Sequence, residues 1–179
     1  MSRDNRSYLV LTAVGPDRPG LVNAISSLIL GAGANLEDSR MAILGGEFAL
    51  LVLVSGSGAE VARVEGELPA LGERLGLRVM VKPTSPEAVQ RRFLPYSLRV
   101  TGVDRPGIVH GVSQLLATRG VNVASLESRL ANAPESGTPM FVLEAELQVP
   151  SELALSELRR ELGALCDEEN LDYVLQGAG

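Results

Sequence analysis

The chain has 179 residues, 45% of them apolar, with 16 Lys and Arg against 22 Asp and Glu for a formal net charge of −6. That length suits one medium domain or two small ones, and the acidic balance argues against an electrostatic footprint for DNA or RNA. Cys166 is the only cysteine, so no internal disulfide is possible and nothing points to an oxidising compartment; the cytoplasm is expected.

The first segment, MSRDNRSYLVLTAVG, is too briefly apolar for a signal peptide, and Tyr8 to Val14 predicts a strand. The most apolar stretch, Phe48 to Val54, falls far below the ~20 residues of a membrane-spanning helix, so no membrane segment is expected. GPDRPG at 15–20 leads into a helix from about Pro19, with Leu21, Val22, Ile25, Leu28 and Ile29 at helical spacing and Gly31 to Gly33 at its end. Asn35 to Leu44 predicts a strand, Gly45-Gly46 a two-residue hairpin turn, and Glu47 to Val54 the returning strand. Val61, Val64, Leu68, Leu71 and Leu75 mark one face of a second helix, which Pro69 is expected to kink or split because it removes a backbone donor. Leu77 to Val81 predicts the last strand of this half.

The same order then recurs. A shift from Gly15 to Gly102, 87 residues, superimposes GPDRPG on GVDRPG, the following helix on Ile108, Val109, Val112, Leu115 and Leu116, and Asn35 on Asn122. Ser97 to Val103, Val121 to Leu130 and Met140 to Val149 predict strands, with a loop holding Pro134 and Gly137 before the last of them. A helix with Leu155, Leu158, Leu162 and Leu165 on one face follows, with Ser151 as its expected N-cap, and Leu171 to Leu175 closes the unit. The fold class is therefore α+β: two ferredoxin-like β-α-β-β-α-β units, each a four-stranded antiparallel sheet with two helices on one face. The expected boundaries are 1–83 for the first unit, 84–94 for a Pro-containing linker and 95–179 for the second, which carries 12 acidic and 6 basic residues.

The repeated loop has two readings. Asp17 and Asp104 sit where a carboxylate can cap the first helical turn, and a Pro near N1 suits a helix start. Gly20 and Gly107 would then fall inside the first turn, where Gly is entropically costly. That cost suggests room for a ligand, whose carboxylate the helix N-terminus would favour. Asn35 and Asn122 read equally as turn residues or as ligand contacts. Arg18 and Arg105 are expected to be solvated charges, His110 to serve structure or face solvent, and Cys166, next to the apolar face of the last helix, to be a packed thiol. Glu144 and Glu146, alternating with Leu143, Ala145 and Leu147, read as the polar face of a half-buried strand.

With the repeat, the paired DRPG loops, GANLEDSRMA and GVNVASLESRL in view, the chain resembles a tandem of ACT domains, and most closely the glycine cleavage system transcriptional repressor family. The resemblance implies an amino-acid effector held between the strand-to-helix loop of one domain and an Asn opening the second strand of another. Carried onto this chain, it implies Asp17, Gly20, Leu21 and Asn35 in one copy and Asp104, Gly107, Ile108 and Asn122 in the other. It also implies glycine or another small amino acid as effector, a transcription activator or metabolic enzyme as protein partner, and no direct contact with nucleic acid. A homo-oligomer is expected. No nucleotide, metalloprotease, CxxC or GxSxG motif is present, so neither a cofactor, a metal site nor independent catalysis is expected. The alternatives are a ligand-free assembly module, or a stand-alone regulatory subunit of an amino-acid or one-carbon enzyme.

Overall fold

The computed structural model describes residues 6–85, 93–132, 137 and 139–178. The chain divides into two compact units, 1–88 and 89–179. The first unit runs β1 (Ser7–Pro16), α1 (Leu21–Gly31), β2 (Asn35–Leu44), β3 (Glu47–Gly56), α2 (Gly58–Leu75) and β4 (Arg78–Thr84). The second runs β5 (Phe93–Val103), α3 (Ile108–Thr118), β6 (Asn122–Asn132), β7 (Pro139–Pro150), α4 (Leu155–Glu168) and β8 (Leu171–Gly177). Each unit has one antiparallel four-stranded sheet, ordered β2-β3-β1-β4 and β6-β7-β5-β8. This is the split βαβ order expected from the sequence. Residues 86–92 of the expected linker and Pro134 of the expected loop lie outside the described residues.

The alternation of side chains along each central strand decides which face the helices cover. Leu9, Leu11 and Ala13 of β1 and Phe48, Leu50, Val52 and Val54 of β3 point to one side, where they meet Leu21, Ile25 and Ile29 of α1 and Val61, Val64, Leu68 and Leu71 of α2. The second unit repeats this with Leu98, Val100, Leu143 and Leu147 under Ile108, Val112, Leu116, Leu158 and Leu162. Cys166 belongs to that core, and burial pushes its thiol up from the ordinary cysteine value. Among the described residues, the other face of each sheet carries no helix of its own unit.

Two local expectations change. The second helix is not split at Pro69; α2 runs unbroken from Gly58 to Leu75, with Leu68 and Leu71 buried on either side of the proline. It starts at a Ser-x-x-Glu pattern: Ser57 and Glu60 form a reciprocal capping box, in which each residue's backbone N–H donates to the other's side chain. Ser151 is not the N-cap of α4. Pro150 and Leu153 form a turn first, and the helix begins after Ala154, which has no side-chain cap bond. The Gly45-Gly46 turn is as expected: both residues have positive φ, 61° and 86°, and Leu44 pairs with Glu47 across it.

Ion pairs join elements within the second unit. Arg119, at the end of α3, clamps Glu161 of α4 with two hydrogen bonds, and Arg99 and Arg129 both reach Glu144 on the open face of the second sheet. The arginine bonds hold both carboxyls below their ordinary value. A carboxyl depressed in the folded state stabilises fully above its unfolded value, and that contribution is lost as pH falls through the folded value. The protein is therefore expected to lose stability on acidification from about pH 5 downward. In thermal melts across that range, Glu161→Gln should lower Tm at neutral pH and flatten the acid slope.

Candidate ligand site at the strand-to-helix loops

The repeated GPDRPG and GVDRPG loops each carry the chain from the end of a central strand onto the covered face of its sheet. The helices begin later than the sequence suggested. Gly20 and Gly107 are the N-caps, at φ 94° and 104°, and their carbonyls accept the first helical bonds from Ala24 and Gly111 at 2.9 Å. Pro19 and Pro106 thus precede the caps. Neither helix has a side-chain cap bond, so Asp17 and Asp104 do not cap the first turn. The backbone N–H of Asp17 instead donates to Gly46 O at 3.0 Å and that of Asp104 to Pro139 O at 3.5 Å, extending the sheet by one bond. The expected capping role is therefore corrected, because the N-cap falls three residues beyond each aspartate, at Gly20 and Gly107.

The glycines acquire a structural reason at the same time. A left-handed cap excludes most side chains, so Gly20 and Gly107 are required by the turn whether or not a ligand approaches. The first glycine of each motif is set by close approach: a Cβ on Gly15 would lie 2.7 Å from Gly76 O, and one on Gly102 would meet the Leu171 side chain and lie 3.2 Å from Asn170 O. Arg105 is more than a solvated charge, since it bonds both the backbone carbonyl and the carboxylate of Glu169 at the end of α4. Arg18 and His110 are exposed.

Leu21 and Ile108 bury their side chains in the two cores, at 2% and 6% exposure. Only their backbone can face a ligand. With no side-chain cap, the first-turn N–H groups remain available to an anion, and the carboxylates of Asp17 and Asp104 stand exposed beside them.

Asn35 and Asn122 open the edge strands β2 and β6, at the far end of each sheet from the loop. Asn35 lies opposite Ser55, which pairs with Tyr8, whereas the loop follows Pro16, which pairs with Glu47. Eight residues of strand separate these rungs, about 26 Å. In the second unit Asn122 pairs with Gln148 and Gln148 with Pro95, while the loop follows Val103. Within one unit, therefore, the expected site residues are not brought together.

The asparagines also have partners. Asn35 Nδ2 donates to Glu37 Oε1 at 3.1 Å, and Asn122 Nδ2 donates to Gln148 Oε1 at 2.8 Å. The same oxygen of Glu37 accepts from Ser55 Oγ and lies 3.6 Å from Arg6. The hydrogen bonds from Ser55 and Asn35 hold the Glu37 carboxyl below its ordinary value. Ser55 and Gln148 did not emerge from the sequence, because only the cross-strand register places them opposite the asparagines; Glu37 lies two residues along the same strand, where the β-bulge turns it toward Asn35.

The concavities described lie elsewhere. One of about 580 Å³ on the open face of the second sheet is lined by Arg99, Ser125, Glu127, Glu144 and Glu146 among others. One of about 760 Å³ runs between α1 and α2, past Ala24, Ser27, Gly31, Arg63 and Arg74. Among the described residues no group of three or more His, Cys, Asp or Glu could hold a metal ion, and no helix is long and apolar enough to cross a membrane.

Family models described as ACT domain match residues 7–82 and 96–163, one on each unit. The chain belongs to the ACT-domain family. It is similar along nearly all its length to the glycine cleavage system transcriptional repressor of Escherichia coli, with 33% identity over 172 residues that span 95% of this chain and 90% of that protein. A crystal structure provisionally assigned as a glycine cleavage system transcriptional repressor covers 97% of this chain and 98% of its own, with TM-score 0.72 and 36% identity. A crystal structure of a protein of unknown function from Galdieria sulphuraria covers 97% and 99%, with TM-score 0.80 and 31% identity. These full-length likenesses extend across both ACT units, so the tandem arrangement itself is shared.

If the left-handed caps are the reason for Gly20 and Gly107, Gly20→Ala and Gly107→Ala should each cost about 1–2 kcal/mol of stability without ligand. Unchanged unfolding midpoints in denaturant would instead mean that the backbone tolerates a side chain there.

Proposed function

We propose that this chain is an amino-acid-sensing regulator that acts through contact with another protein, a transcription activator or a metabolic enzyme, and not through direct DNA binding. The observation that carries the reading is the full-length similarity to a transcriptional repressor of the glycine cleavage system, with both ACT units present. The net charge of −6 supports a protein partner over a nucleic acid. Glycine is the leading effector by that similarity, and the protein is read as a regulator and not an enzyme.

The proposed ligand contacts are the exposed carboxylates of Asp17 and Asp104, the backbone of Gly20, Leu21, Gly107 and Ile108, and the amides of Asn35 and Asn122. Since loop and asparagine lie about 26 Å apart in one unit, a ligand touching both must use the loop of one unit and the asparagine of another, in the same chain or in an oligomer. Linkage then makes the ligand a switch: whichever arrangement of units it prefers becomes more populated, and so does the partner surface belonging to that arrangement.

A second reading, a ligand-free assembly module, is favoured by two observations: the cap glycines are explained by φ alone, and both asparagine amides are already hydrogen-bonded. Calorimetry separates the two. Glycine, serine and alanine are the first ligands to titrate, and saturation at about 100 times Kd should add about 2.7 kcal/mol to stability, visible as a rise in Tm. The double variant Asn35→Ala with Asn122→Ala should lose the heat of binding and keep its unliganded Tm. Absence of heat and of any Tm rise with every amino acid would favour the assembly reading.

A further inference from the structure

The two asparagine positions superimpose in sequence but differ in chemistry. In β2 the register shifts between Leu36 and Asp38, so Glu37 is the extra residue of a β-bulge; in β6 the same shift falls between Val123 and Ser125, and the extra residue is Ala124. The bulge thus presents a carboxylate beside Asn35 and a methyl group beside Asn122.

A carboxylate can only accept, so the amide facing Glu37 must turn its Nδ2 toward it and its Oδ1 away. Ser55, 1% exposed, holds that carboxylate from below through its hydroxyl, and the Arg6 guanidinium lies near the same oxygen. Asn35 therefore has one orientation. Asn122 faces another amide, that of Gln148. Either amide of such a pair can donate while the other accepts, so two arrangements satisfy the bond and neither fixes where Oδ1 points.

Resting on the sensing reading above, we propose that Glu37 is a positioning residue that aims Asn35 Oδ1 at the ammonium group of a bound α-amino acid. The first unit's asparagine thereby becomes the discriminating ligand position, and the second unit's a weaker one. The ammonium of an amino acid is a strong donor and needs an acceptor held in place before it arrives. A fixed Oδ1 supplies that at no further ordering cost, whereas Asn122 must first select one of two pairings. The gain assigned to Glu37 is in the orientation of the amide it accepts from.

The experiment uses the full chain with glycine, and with glycolate, which keeps the carboxylate and lacks the ammonium. Calorimetry of the wild type should show a single tight site per chain for glycine and none for glycolate. Glu37→Gln gives Asn35 an amide neighbour like that of Asn122; it should raise the Kd for glycine about ten- to hundredfold, as expected for loss of an oriented bond to a charged group. The preference for glycine over glycolate should shrink in the same variant, which a general loss of stability would not cause. Asn35→Ala should remove the tight site and Asn122→Ala should keep it. Wild-type glycine affinity in Glu37→Gln, or equal losses from Asn35→Ala and Asn122→Ala, would overturn the assignment while leaving sensing intact. If no amino acid binds the wild type, the sensing reading itself falls, and this inference with it.

Discussion

At residues 20 and 107 the chain has to leave the end of a central strand and start a helix that lies back across the sheet. It does so through a left-handed backbone that glycine adopts readily and other residues resist. Ahead of the cap, Gly15 and Gly102 let the strand pass against the connection before the last strand of each unit, where a Cβ would collide. Once the turn is made, Leu21 and Ile108 drop into the cores, and the periodicity of α1 and α3 places Ile25, Ile29, Val112 and Leu116 behind them. The cores, the helix directions and the outward-facing first-turn N–H groups all depend on that corner.

The same corner reassigns the motif's parts. The prolines and glycines share the turn, with each glycine as the N-cap. The aspartates are left exposed, with only their backbone tied to the neighbouring hairpin. What the loop can offer a ligand is therefore backbone N–H groups and a free carboxylate, a pair suited to an amino acid. The asparagine lies at the opposite end of the sheet, so one unit by itself does not bring the two elements together.

Duplication preserved the frame and let the surfaces diverge. The open face of the first sheet carries Val10, Leu51 and Leu53 beside Asp38 and Arg40, while that of the second carries the Arg99, Glu144 and Arg129 cluster. The divergence reaches the asparagine corners, where Glu37 stands in one unit and Ala124 in the other.

The element order, the helix faces and the Gly45-Gly46 turn were legible because they rest on local periodicity: 3.6 residues for Val61, Val64, Leu68 and Leu71, two for Leu9, Leu11 and Ala13. Ser57 with Glu60 was legible too, as a Ser-x-x-Glu pattern. The starts of α1, α3 and α4 were not. Asp17, Asp104 and Ser151 all have capping chemistry, and whether a cap is used depends on where the core lets the helix begin. By itself the sequence determined the repeated βαββαβ frame, the two buried faces and the family, since these follow from patterns within a few residues of one another. Only the tertiary structure decided that the cap glycines answer to backbone geometry, that loop and asparagine lie at opposite ends of a sheet, and that Glu37 faces Asn35. The separation of loop and asparagine follows from cross-strand register, which relates residues far apart in the chain; the cap conformation and the Asn35–Glu37 contact are set by local backbone geometry that the folded unit selects.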